Sequence, residues 1–234
     1  LSWLKGETDS AEGAIRLRHN ARSYVSKGVQ SLVAIPFTSG DMSHDVEISL
    51  RYHEDYEDRL QYNEQYTVEN DSLVFASKGD LGSAGNRVVS ADAWAFFVQD
   101  TIKFGNWTLV PGVRFESIDL DRSDWAGDDP TRTGAENMRE TTSVNTFVPG
   151  LGISYDVNEN LTLTGGVFKG FNPPGAGNAS AQEEKSLNFE FGAIYDKNGA
   201  YFEGMAFYSD YSNILGTCTA AAGCSEAEIG DQFN

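Results

Sequence analysis

Apolar and polar residues alternate with a period of two in segment after segment of this chain. That pattern admits strands that present one face to apolar surroundings and the other to polar ones. In 46–53, Val46, Ile48, Leu50 and Tyr52 share one parity, and Glu47, Ser49, Arg51 and His53 the other. In 107–116, Trp107, Leu109, Val113 and Phe115 oppose Thr108, Gly112, Arg114 and Glu116. In 147–156, Phe147, Leu151, Ile153 and Tyr155 oppose Val148, Gly150, Gly152, Ser154 and Asp156; in 187–194, Leu187, Phe189, Phe191 and Ala193 oppose Asn188, Glu190 and Gly192. Segments 29–37, 94–102, 161–168 and 201–208 repeat it with exceptions, such as Glu203 on the apolar parity. Helical stripes are weak throughout, so the expected fold class is all-β.

The connections fall into two kinds that take turns along the chain. Thr38–Ser43, Phe104–Asn106, Val157–Asn160 and Asp196–Gly199 are short and carry the Gly, Asn and Asp that tight hairpins need. About 79–89, 120–143, 172–185 and 212 onward are long. Tight turns on one rim and long loops on the other are the habit of an antiparallel up-and-down β-barrel.

Charge narrows the partners. Lys and Arg total 17 against 35 Asp and Glu, a formal charge of −18, which makes nucleic acid a poor candidate partner because phosphate neutralisation needs an excess of Lys and Arg. No apolar run reaches the roughly 18 residues of a membrane-spanning helix, and no basic and apolar leader opens the chain at Leu1. Neither fact excludes a membrane crossed by strands. Alternation alone fits a soluble sandwich as well as a lipid-facing sheet. The strands, read as about 10 to 15 residues long, match tilted membrane spans. Aromatics near strand ends (Phe104, Trp107, Phe147, Tyr155, Phe171, Tyr195, Tyr201) match interfacial girdles.

Several stretches, in their order, resemble one family. They are Arg22-Ser23-Tyr24-Val25-Ser26-Lys27-Gly28, Arg51-Tyr52-His53-Glu54-Asp55 with Asp58-Arg59, and Gly85-Asn86-Arg87. Ala93-Trp94-Ala95-Phe96-Phe97-Val98-Gln99-Asp100 is followed by Trp107-Thr108-Leu109-Val110-Pro111-Gly112-Val113-Arg114-Phe115-Glu116. Gly170-Phe171-Asn172-Pro173-Pro174 and Glu184-Lys185-Ser186-Leu187-Asn188-Phe189-Glu190-Phe191-Gly192 complete the series. Over residues 22–234 the chain resembles the TonB-dependent outer-membrane receptors, and most of all their ferric-dicitrate branch. The resemblance implies a 22-stranded barrel filled by a plug domain, energised through a TonB box by the TonB complex, and importing a ferric chelate as ligand with no cofactor and no enzymatic step. It places the chain in the outer membrane, among lipid and lipopolysaccharide. Neither plug nor TonB box is visible, and about nine or ten strands are legible. The expectation is therefore that residues 1–234 form a partial barrel domain, an open curved sheet from the middle of a larger receptor.

Within that frame, Arg51, His53, Arg59 and Arg114 are the expected ligand-binding residues, because guanidinium forks match carboxylate chelators. The alternative is a lattice of salt bridges against the plug. Cys218 and Cys224, six residues apart across small residues in an exported chain, are expected to form a disulfide, with two free thiols as the alternative. Asp119, Asp121, Asp124, Asp128 and Asp129 read as a solvated acidic loop, with divalent-ion bridging to lipopolysaccharide as the alternative. No triad or metal-ligand spacing stands out among the three His and two Cys, so no catalytic residue and no metal site is expected. Two rival readings remain at this stage, a surface β-sheet module that binds carbohydrate and a passive porin-like barrel.

Overall fold

The computed structural model describes residues 2–5, 8–177, 182–214, 216–217 and 232–233. After a single 3-10 turn, Ser2–Lys5, the described residues are built of strands. In chain order these are β1 Ile15–His19, β2 Arg22–Ser39, β3 Met42–Glu69, β4 Ser72–Lys78, β5 Gly85–Phe104, β6 Trp107–Asp124, β7 Met138–Asn158, β8 Leu161–Asn172, β9 Glu184–Lys197 and β10 Ala200–Ser212. They form one open ten-stranded antiparallel sheet in the order β1-β3-β5-β6-β7-β8-β9-β10, with β2 and β4 also paired to β3. The short strands β11 Gly216–Thr217 and β12 Gln232–Phe233 pair separately.

All four short connections are tight hairpins where the sequence placed them. The β9–β10 turn takes Asn198 and Gly199 to φ values of 52° and 82°, the two left-handed residues of a turn whose twist matches its flanking strands. Asn70 and Asp71 do the same between β3 and β4, at 46° and 61°. Two of the long connections are shorter than expected: β5 begins at Gly85, β6 runs on to Asp124 and β7 starts at Met138, while the connection after β8 lies at 173–183 as expected.

The chain divides into two compact units. The first comprises 1–27, 54–91 and 120–141, the second 28–53, 92–119 and 142–234. In the second unit the faces are inverted relative to a soluble sheet. On β5, Trp94 and Phe96 are exposed (51% and 44%) while Ala93 and Ala95 are buried. On β7, Phe147 is 62% exposed next to the buried Thr146 and Val144, and Leu151 and Ile153 on its parity are exposed too. The register Leu151↔Val167, Gly152↔Gly166, Ser154↔Thr164 carries the same alternation from β7 into β8. Large apolar side chains therefore cover the exposed face, and the buried face is made of small and polar ones. Aromatics gather beside the tight turns, with Trp107 4.4 Å from Tyr155 and Tyr195 6.4 Å from Phe202.

The first unit has a polar interior. β3 pairs with β1 through Ile15↔Tyr66 to His19↔Tyr62, and with β4 through Glu64↔Lys78 to Glu69↔Ser72, with a bulge at Gln65/Tyr66. Its buried side chains include Gln61, Thr67 and Asn86. Buried polar groups of this kind are tolerated only when hydrogen-bonded, and here they organise a site.

Candidate functional site

Alternation puts Glu57, Arg59 and Gln61 on one face of β3. Arg59 grips the Glu57 carboxylate through Nε at 3.0 Å and through Nη2 at 2.8 and 3.0 Å. The same carboxylate accepts the Tyr24 hydroxyl at 3.1 Å and lies 3.4 Å from Arg22 Nη1. Gln61 is fully buried, and its amide oxygen accepts from Arg22 Nε at 2.8 Å. Its backbone carbonyl accepts from Gly82 and Ala84, which folds the β4–β5 connection over β3.

A second set comes from β5 and β6. Arg122 forks Asp124 with Nε at 2.5 Å and Nη2 at 3.0 Å, and Arg87 Nε lies 3.6 Å from the same carboxylate. The connection between β6 and β7 adds Arg132, whose Nε donates to Asn86 Oδ1 at 2.9 Å and whose Nη2 donates to Asp58 Oδ1 at 2.5 Å. Its guanidinium also lies 5.0 Å from the centre of the Trp125 ring. Five arginines (22, 59, 87, 122, 132) thus share three carboxylates (Glu57, Asp58, Asp124). A chain of net charge −18 has concentrated cations at one place.

The electrostatics single out Arg87. Burial first, then the neighbouring Arg122 and Arg59, push its pKa below the ordinary arginine value, against the pull of Asp124 and Glu57. Arginine stays protonated regardless, and among the described residues the buried Arg87 Nε has no acceptor within hydrogen-bond distance. Glu57 shows the complementary balance. Burial pushes its carboxyl up, but hydrogen bonds from Arg59 and Tyr24 and the charges of Arg59 and Arg22 outweigh it, leaving the pKa below the usual range. Arg87, Arg59 and Arg122 form a surface suited to an oxyanion, which guanidinium groups bind through paired N–H donors.

A profile of the family described as TonB dependent receptor-like, beta-barrel matches residues 6–230. The chain belongs to that receptor-barrel family. Solved structures similar to it are the ferric citrate transporter FecA in its unliganded form (21% identity, TM-score 0.68, 84% of this chain and 29% of that one). Another is the ferric-catecholate import receptor Fiu from K12 E. coli (14%, 0.63, 92% and 34%). A third is the siderophore receptor PiuA from Acinetobacter baumannii (16%, 0.60, 82% and 33%). At these identities the likeness is one of fold, and the chain spans about a third of each of those receptors. The family is one of receptors, not enzymes.

In this receptor-barrel chain the four expected ligand residues belong to different units. Arg59 sits in the cationic cluster. Arg51, His53 and Arg114 belong to the second unit, where Arg51 is exposed and Arg114 pairs with Glu116. Arg22, Arg87, Arg122 and Arg132 of that cluster are not among the residues expected from the sequence, although Arg122-x-Asp124 repeats the i, i+2 pairing of Glu57-x-Arg59 on one strand face. The acidic stretch is not a freely solvated loop. Ser143 donates to Asp119 at 2.5 Å, Thr141 donates to Asp121 at 2.6 Å, and Arg122 takes Asp124. Asp129 accepts the Gly134 and Thr133 backbone N–H groups and the Thr131 hydroxyl. Among the described residues no group of three or more potential metal ligands converges. Cys218 and Cys224 lie outside the described residues.

Proposed function

We propose that this chain is the barrel portion of a longer outer-membrane receptor, and that its cationic cluster contacts an anionic ferric chelate during uptake. The observation that carries this reading is the arginine cluster around Arg59, Arg87 and Arg122 in a chain of net charge −18. A carboxylate chelator such as citrate matches that chemistry. Its oxygens can take over the guanidinium forks that Glu57 and Asp124 occupy in the free protein, an exchange of one anion for another in a partly desolvated site. The remaining parts of the machine are proposed by the same route: a plug domain from the rest of the receptor, the TonB complex as energy source, and outer-membrane lipid and lipopolysaccharide against the exposed apolar face. Arg51, His53 and Arg114 would serve as later contacts along the path, and Cys218 and Cys224 as a disulfide in a surface loop.

The test is direct binding of ferric citrate to the full-length receptor. Arg87→Gln should raise the Kd at least about tenfold, which is about 1.4 kcal/mol. It should also flatten the salt dependence and leave any binding of an uncharged ferric hydroxamate unchanged. Wild-type affinity for ferric citrate in both Arg59→Gln and Arg87→Gln would overturn the reading.

A further inference from the structure

Arg132 reaches more of the cluster than its own ion pair. Besides Asn86 and Asp58, its Nη2 approaches the backbone carbonyls of Arg59 on β3 and Arg87 on β5, at 3.3 and 3.4 Å. These are two of the three cations on which the proposed chelate contact rests. One planar group therefore ties together the strand positions that carry both.

The loop 125–137 is built to deliver that group. Trp125 donates its backbone N–H to the Asn86 carbonyl at 3.0 Å, and Asn86 Nδ2 donates to the carbonyls of Ala126 and Asp129, both at 2.8 Å. The Asp129 carboxylate then closes a turn on the backbone N–H groups of Thr133 and Gly134, at 3.2 and 2.8 Å. Within that turn Arg132 has a φ of 54°, a left-handed conformation that a long non-glycine side chain adopts only when its surroundings hold it there. Two things hold it there: the turn, in which the Arg132 backbone N–H donates to the Asp129 carbonyl at 3.1 Å, and the guanidinium, fixed by four acceptors and lying over the Trp125 ring.

We propose that Arg132 is a positioning residue. It latches the 125–137 loop onto β3 and β5 and fixes the spacing of Arg59 and Arg87, so that chelate affinity depends on the loop without Arg132 touching the chelate. The inference rests on the chelate reading of the cluster and adds a residue and a loop to it. It also predicts that the planar fork matters and the charge alone does not, because an ammonium cannot span carboxylate, amide and two carbonyls in one plane.

The experiment uses the full-length receptor with Arg132→Ala and Arg132→Lys, each examined by amide hydrogen exchange over 125–137 and by binding of ferric citrate. Both variants should speed exchange at 129–134 at least about tenfold and weaken ferric citrate about tenfold, with lysine no better than alanine. Arg132→Ala combined with Arg87→Gln should lose less affinity than the sum of the two single losses, since part of the effect of Arg132 passes through Arg87. Unchanged exchange in Arg132→Ala overturns the latch outright. Rescue of binding by lysine, or additive losses in the double variant, overturns the positioning role and makes Arg132 a direct charge partner. If Arg59→Gln and Arg87→Gln both bind ferric citrate like wild type, the chelate reading falls and takes the affinity arm with it, while the exchange arm still decides the latch.

Discussion

Arginine dominates this site because its planar fork can hold one carboxylate bidentately and keep its charge in a partly buried place. Glu57 and Asp124 are the built-in anions, and their protonation is a lever on the site. The pKa of Glu57 is depressed below its ordinary value of about 4.5, because the folded state stabilises the ionised form through Arg59 and Tyr24. Its contribution to stability is therefore fully present above the unfolded value and is lost as pH falls through the depressed folded value. Asp129 behaves alike: backbone N–H donation from Gly134, then burial working against it, then donation from Thr133, leaves its carboxyl below the ordinary value of 3.8. Acid titration of the full-length receptor, followed by Trp125 fluorescence with the other tryptophans replaced by Phe, should show the loop loosening below about pH 4. Asp129→Asn should loosen it already at neutral pH and shrink the acid step; an unaltered acid step would remove Asp129 from the account. At this scale the sequence was partly readable. Arg59 was legible from its strand parity, and Arg122 was equally so from its i, i+2 partner. Arg132 was not, because its position depends on a turn set by Asp129 and on strands far away in sequence.

Strands were legible where one face is apolar. β7, β8 and β9 announce themselves because Leu151, Ile153, Leu163, Phe189 and Phe191 alternate with Gly, Ser, Thr and Glu. The second half of β3, from Glu54 to Glu69, was hidden for a physical reason. Its ladder hydrogen bonds are indifferent to side-chain polarity, and polar residues such as Asp55, Asp58, Asn63 and Glu64 occupy both parities, so the strand continues while the pattern vanishes. β4 was missed because Leu73, Val74 and Phe75 are consecutive and all exposed. The ends of β6 and β7 read as acidic loop because Asp119 and Asp121 make cross-strand bonds to Ser143 and Thr141 that no local pattern reveals. Pairing of β2 with β3 makes a sharper demand. A Cβ on Gly28 would stand 2.5 Å from the Tyr52 carbonyl oxygen and 2.8 Å from His53 Cβ, where two backbones approach too closely for a side chain. Gly28→Ala should cost about 1–3 kcal/mol by overpacking and show as a lower urea midpoint for the folded receptor. A wild-type midpoint would mean that the strands separate at no cost.

At the scale of the whole chain the informative feature is what covers its apolar face. The second unit leaves Phe147, Leu151, Phe189, Phe191 and Phe207 exposed, while the small side chains of Ala93, Ala95 and Thr146 are buried. Water would penalise that arrangement at roughly 25 cal/mol for each Å² of apolar surface, whereas lipid would not. The tight turns with aromatics beside them and the exposed apolar parity agree with a family of membrane receptors, and nothing among the described residues forms a second layer to cover that parity. Orientation is testable on neighbouring positions of one strand. Leu151 lies on the exposed parity of β7, and Ser154 on the other, opposite Thr164. In the full-length receptor, Leu151→Arg should impair assembly by about 2–4 kcal/mol if it meets the middle of the bilayer, seen as loss of the folded, heat-modifiable band on a gel. Ser154→Arg places the same charge on the polar face and should assemble far better. Equal tolerance of both substitutions would mean that the exposed parity does not face lipid, and a protein layer supplied by another part of the receptor would have to cover it instead.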